Sequence, residues 1–294
     1  MRTTFYLATR TIGTIGIVFL GFAMLVPAPA DAQQQPLITQ DPATIGTGNV
    51  LLRGEFGYAR DTFYPLSGLT GNLSQLPIFG INVGLGPIAD LVISGGPYDR
   101  LTITSRAAGP FAADLNSAVL SGKVTHAVDD ISIGTRITLV PEASVRPAVG
   151  FSFSVRLPNA KHPSGLGQDT TDFSASMLSG KSIGAVRVLG NLGFTIMSEP
   201  TDEPKQNDVL TYGAAASLHV ARHMELVSEV NGRWSVRNGV APIGTESRSR
   251  AQIGAAYTRG HLRYDTAVFS GLTPIDPSIG VSAGLSVLFH AFTP

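Results

Sequence analysis

The sequence predicts an all-β protein, a closed antiparallel transmembrane β-barrel of about twelve strands with short turns at one rim and long loops at the other. Three observations predict it. The stretch "VRPAVGFSFSVRLP" (145–158) alternates, with Val149, Phe151, Phe153 and Val155 on one face and Arg146, Ser152, Ser154 and Arg156 on the other. Successive side chains of a strand point to opposite faces, so this is a strand with one apolar and one polar side. The same pattern recurs along the chain, and the connections between its repeats alternate long and short. Finally, the chain opens with an export signal, and no later run is apolar enough for a membrane helix.

Arg2 and Arg10 flank the start of an apolar run, "TIGTIGIVFLGFAMLV", followed by small residues ending Ala30-Asp31-Ala32. A positive region, an apolar region and an A-x-A site are the parts of a secretory signal, so 1–32 reads as a cleaved signal peptide. Residues 33–47 ("QQQPLITQDPATIGT") read as a polar periplasmic leader, with the sequence leaving open whether it plugs the barrel from below, and 48–294 as the barrel. The chain is 43% hydrophobic but only 14% charged, with balanced net charge. That is low beside the ~25% charged residues of soluble domains, and nothing in it suggests nucleic acid. Cysteine is absent, which excludes disulfides, thiol catalysis and thiolate metal sites.

The strands follow in order at 48–60, 73–86, 88–104, 129–141, 145–157, 170–180, 183–197, 208–221, 223–236, 247–259, 261–270 and 279–292. "NVLLRGEFGY" sets Val50, Leu52, Phe56 and Tyr58 against Arg53 and Glu55; "DISIGTRITLV" sets Ile133 and Ile137 against Arg136. "AVRVLGNLGFTI" opposes Val188, Leu192 and Phe194 to Arg187 and Asn191. "MELVSEVNGRWSV" opposes Leu226, Val230 and Trp234 to Glu225, Glu229 and Arg233. "HLRYDTAVF" opposes Tyr264 and Val268 to Arg263 and Asp265, and Arg250 stands on the strand before it. Long connections ("DTFYPLSGLTGN", "PNAKHPSGLGQD", "RNGVAPIGTES") alternate with short ones ("PEAS", "GKS", "ARH", "RGH"). A membrane barrel sorts its loops this way, and an even strand number returns both termini to the periplasm.

The polar faces then line the lumen, because an arginine in hydrocarbon costs ~2–4 kcal/mol near the midplane. The expected lumen set is Arg53, Glu55, Arg136, Arg146, Arg156, Arg187, Glu225, Glu229, Arg233, Arg250, Arg263 and Asp265. Guanidinium forks suit carboxylates and phosphates, so such a lumen could favour anions, aromatic acids included. The opposing reading is that Arg and Glu pair across the lumen and fill it. Tyr58, Tyr212, Trp234, Tyr257 and Tyr264 fall near strand ends on the apolar face, as interfacial aromatic girdles do.

The segments "DISIGTRITLV", "NLGF" and "LTYGAAASLHVARHMELVSEVNGR" and the close "YDTAVFSGLTPIDPSIGVSAGLSVLF" carry a resemblance. The chain resembles a family of bacterial outer-membrane proteins named for the phenol-degradation meta pathway and labelled as transporters. The resemblance implies a barrel with a transport role; it carries no substrate and no functional residues.

The expected function is passive passage of small molecules, aromatic or anionic ones among them, through an Arg-rich lumen in the outer membrane. The alternative is a structural or surface-recognition barrel with a closed lumen, acting through its long loops. The implied partners are outer-membrane lipid, the barrel-assembly machinery and the solute, with no cofactor and no metal. Catalysis finds little footing: no G-x-S-x-G stands between a strand and a helix as a nucleophile elbow requires, and His261 with Asp265 lacks a serine. The acidic loop around Glu199, Asp202, Glu203 and Asp208 reads as a solvated surface loop.

Overall fold

A computed structural model describes residues 38–201 and 205–293, so the signal peptide expected at 1–32 lies outside the described residues. Fourteen strands follow one another: β1 Asn49–Tyr64, β2 Leu69–Gly84, β3 Ala89–Gly95, β4 Asp99–Arg106, β5 Val124–Ala127, β6 Ile131–Val140 and β7 Ala148–Leu157. Then come β8 Asp172–Ile183, β9 Val186–Ser198, β10 Gln206–Ala221, β11 Met224–Ser235, β12 Arg248–Arg259, β13 Leu262–Gly271 and β14 Ile279–His290. A short helix α1 (Ser117–Ser121) lies between β4 and β5.

Neighbours in sequence pair antiparallel, and β1 pairs with both β2 and β14, so the sheet closes on itself. The ring has 12 staves. The strand count exceeds the stave count because two staves are broken. β3 pairs with the lower part of β2 and β4 with its upper part, so β3 and β4 are one stave interrupted at 96–98. β6 pairs with β3 and β5 with β4, so the next stave is interrupted at 128–130. β2 is irregular at the same level, between Gln75 and Phe79, where Pro77 has no N–H to give a ladder. The β1–β2 and β1–β14 pairings close the ring, the condition for β-structure in lipid, and leave only the short upper strand β5 with a single neighbour.

Below these breaks the wall alternates as expected. Phe153, Leu192, Phe194, Leu226, Ile253 and Val268 turn outward and stay exposed, while Arg136, Glu225, Glu229 and Arg263 turn inward and are buried. Trp234, Tyr257 and Tyr264 also face out. Above the breaks the pattern inverts. On β4, Arg100 and Thr104 face out and are exposed, while Leu101 is fully buried inside the ring. Leu69, Leu73, Leu101, Leu115 and Val119 cluster there, with Tyr64, Ile103 and Leu166 packed against them.

Two connections depart from the expected sorting: the lower one at 141–147 is as long as the upper ones at 199–205 and 272–278, and the first upper one is short. Instead of a long loop after the first strand, β1 and β2 extend to Tyr64 and Leu69 and join through the short turn 65–68. The other connections at that upper rim are 107–123, 158–171, 199–205, 236–247 and 272–278. Those at the lower rim, where β1 begins and β14 ends, are 85–88, 141–147, 184–185, 222–223 and 260–261.

Candidate functional site: the lumen and its two closures

Inward side chains of the wall form a paired network. The Arg53 guanidinium lies 2.6 Å from Glu55 and 3.3 Å from Asp265. Arg136 meets Asp90 at 2.5 Å with both side chains out of solvent, and Arg263 meets Glu225 at 3.0 Å. Arg156 bridges Asp130 and Asp172. Arg250 stacks 4.7 Å over the Phe269 ring and donates to Gln252. In a low-dielectric interior each of these charges would be costly alone, and pairing makes the arrangement tolerable.

Arg146, expected in the lumen, is a correction. It sits exposed in the lower turn 141–147, donating to the Pro141 carbonyl at 3.3 Å. The strand begins only at Ala148, after Pro147, so the alternation does not reach back to Arg146. Arg100, on the strand expected at 88–104 and read there as facing the lumen, points out. His261 sits exposed at a lower turn while Asp265 pairs with Arg53, so the two form no couple. Asp202 and Glu203 of the acidic loop lie outside the described residues.

The leader bears on the question left open for it: its described part, with Gly48, runs inside the barrel as residues 38–48. The N–H groups of Ile38 and Thr39 both donate to the Glu229 carboxylate, at 3.0 Å each. Gln40 and Asn191 exchange two hydrogen bonds, N–H to Oδ1 at 2.6 Å and Nδ2–H to the carbonyl at 2.8 Å. Asp41 takes the Arg187 fork at 2.6 and 2.7 Å, a bidentate geometry that fixes orientation as well as distance. Thr138 donates to the Pro42 carbonyl at 2.6 Å, and the Ile45 N–H donates to Asp90 at 3.1 Å. Thr39, Asp41 and Ile45 are buried.

The wall makes room for this segment. A Cβ at Gly150 would come within 2.9 Å of Pro42, and one at Gly213 within 2.7 Å of Thr39. Both positions point inward, where a glycine in a strand permits close backbone approach. Among the described residues, residues 38–45 make no backbone–backbone bond to the wall; wall side chains hold them. Glu229, Arg187 and Asn191 therefore serve the segment rather than an empty pore.

The upper end is closed differently. The loop 107–123 turns inward and places Leu115 and Val119 on Leu69 and Leu101. Arg106 ties it by donating to the Val119 and Gly122 carbonyls at 2.6 and 2.7 Å. Ser67 donates to the Gly165 carbonyl at 2.7 Å, and Thr125 to the Ser164 carbonyl at 2.6 Å, which brings down the loop 158–171. Against the loop 158–171 lies a cavity of about 290 Å³, lined among others by Tyr64, Asp99, Asp129, Arg156, Arg233 and Arg248. Sequence reasoning missed Arg248 and the inward carboxylates Asp99 and Asp129. The last two stand at the stave breaks, where the simple alternation no longer assigns a face.

No protein-family model matches the chain, and no curated protein does. Solved structures do. An outer-membrane channel from Pseudomonas putida F1 superposes with a TM-score of 0.60 at 12% identity, covering 89% of this chain and 99% of that one. The fold is shared. The NanC porin is a looser likeness, with a TM-score of 0.49 at 6% identity over 80% of this chain and 98% of that one.

Proposed function

We propose that this chain is a passive outer-membrane channel for small molecules, with residues 38–48 acting as an internal stopper. The observation that supports it is how the segment is held. Side-chain bonds from Glu229, Asn191, Arg187, Thr138 and Asp90 secure residues 38–45 with no backbone bond to the wall among the described residues, so that stretch can leave the lumen without unzipping a strand, while Gly48 stays bonded to Gly84 and Ala291. The outward apolar side chains fit a lipid belt, and an inward polar face fits an aqueous path. On this reading the lower rim is periplasmic and the upper rim extracellular. The transport label of the family resembled, and the channel description of the P. putida neighbour, agree with it.

Because Arg53, Arg136, Arg156, Arg187 and Arg263 are matched by carboxylates, the lumen as a whole is not an anion filter. A solute preference then has to come from charges left unmatched. The closed-lumen reading has its own support, since both ends are covered. Single-channel recording of the refolded mature chain, beside a variant lacking residues 33–45, separates the two. A channel gives small conductance in the full chain that rises several-fold in the variant. Silence from both, in protein shown folded by its heat-dependent shift in SDS gels, means a closed barrel that works through its loops.

A further inference from the structure

The cavity against the loop 158–171 holds charges that the rest of the lumen does not. Arg233 donates Nε–H to the Glu246 carbonyl at 2.9 Å and a terminal N–H to the Gly244 carbonyl at 3.0 Å. Arg248 reaches only the Phe63 carbonyl, at 3.4 Å. The Glu246 carboxylate accepts from the Gly244 N–H instead. Among the described residues neither arginine pairs with a carboxylate, although they stand directly opposite one another across β11 and β12. Two adjacent guanidiniums facing one cavity repel each other, a cost a bound anion removes.

The facing wall is the mirror case. Asp99 accepts only from the Gln75 amide, at 3.0 and 3.2 Å. Asp129 accepts from the Asp130 N–H at 2.8 Å. Neither has a cationic partner among the described residues, because Arg156 is already taken by Asp130 and Asp172. Asp99 and Asp129 belong to the third and fourth staves, Arg233 and Arg248 to the ninth and tenth, half the ring apart. Between them Thr62 is buried, with a hydroxyl that has no partner among the described residues, and Tyr64, Leu66 and Leu166 supply apolar surface.

We propose that this cavity binds a small zwitterion whose amine and carboxylate are several bonds apart, of the dipeptide class. The carboxylate lies against Arg233 and Arg248, and the ammonium against Asp99 and Asp129. A volume of about 290 Å³ suits a molecule of that size. A purely anionic solute would leave the two aspartates unmatched and repelled, and a cation would do the same to the arginines. The proposal deepens the channel reading by naming a solute class, but the binding itself is tested apart from passage.

The experiment is isothermal titration of the refolded mature chain in detergent with alanyl-alanine, N-acetyl-alanyl-alanine and alanyl-alanine amide. The free dipeptide should bind, and loss of either charge should weaken binding by about tenfold or more. In Arg233→Gln/Arg248→Gln the dipeptide and its amide should become equivalent; in Asp129→Asn the gap between the dipeptide and its acetylated form should narrow. Equal binding of the acetylated compound would reduce the cavity to an anion site and overturn the proposal. Equal binding of the amide, or no heat from any of the three with folded protein, would overturn it as well. Where the arginine variant does not fold, the three ligands on the unaltered chain decide alone. Dipeptide binding with silent bilayers would sink the channel and leave the site standing.

Discussion

The two closures of the lumen are made of opposite materials. At the lower end a polar segment is held by charged and amide side chains: Asp90, Arg187, Asn191 and Glu229 each reach its backbone or its one aspartate. At the upper end Leu69, Leu101, Leu115 and Val119 form a small dry core. The difference teaches which closure can open. Polar bonds to a segment are exchanged for bonds to water with a modest net change, about 1 kcal/mol per neutral bond and about 2 kcal/mol where one partner is charged. Exposing a leucine core has no such exchange, so the upper lid behaves as folded structure and the lower stopper as a bound ligand.

Asp90→Ala should have the largest effect, because it strikes the stopper and the wall together. It removes the acceptor of the Ile45 N–H and strands Arg136, which is fully buried. Breaking such a pair costs about 4 kcal/mol. Urea unfolding in detergent micelles would show it as a marked drop in midpoint; an unchanged midpoint would mean that water reaches Arg136. Leu101→Ala should cost somewhat less, about 3 kcal/mol, through the cavity it leaves in the lid. Its signature should be local: proteolysis within 107–123 should speed up while the stopper contacts stay intact. If instead Leu101→Ala released residues 38–48 to protease, the two closures would be one cooperative unit and the contrast would fail.

Most of the wall could be read from the sequence, because a strand in lipid has one medium outside and another inside. Phe153 and Arg156 fall on the sides that the two media demand, as do Leu192 and Arg187. The reading failed wherever a third environment intervened. Leu101 and Ile103 were apolar residues in an alternating strand, yet their apolar side faces in, because β4 rises past the belt and meets the loop 107–123. Arg100, Thr102 and Thr104 gave no signal of this, because the rule that keeps arginine out of hydrocarbon reads their face as lumen-facing. Arg146 looked inward only because the alternation was carried back across Pro147. The stopper was illegible in its own residues; its trace was in the wall, as inward glycines such as Gly150 and Gly213 where a lumen-lining strand has no need of them. In the candidate site, Arg233 was read from its strand, whereas Asp99 and Asp129 were hidden by breaks that shift the facing of the chain.

The smallest expected effect tests the polar character of the lower closure by titration. Glu142 lies in the turn 141–147 and takes the Arg187 guanidinium at 2.9 Å, the same arginine that grips Asp41. Partial burial works against its ionised form. The Ser182 N–H, Lys181 and Arg187 outweigh that and pull its pKa down from 4.5 to about 2. A carboxyl held lower in the folded than in the unfolded chain contributes stability above its unfolded pKa and loses it as pH falls through the folded one. The contribution should therefore be complete above pH 4.5 and fade toward pH 2. Water screens this turn, so it amounts to about 1 kcal/mol. Glu142→Gln should lower stability at neutral pH by that amount and flatten the acid limb of the profile. The rate at which residues 38–48 become accessible to protease should rise in step with acidification in the unaltered chain, while 107–123 stays protected. Equal acid sensitivity of both segments would mean that Glu142 supports the whole barrel rather than the stopper.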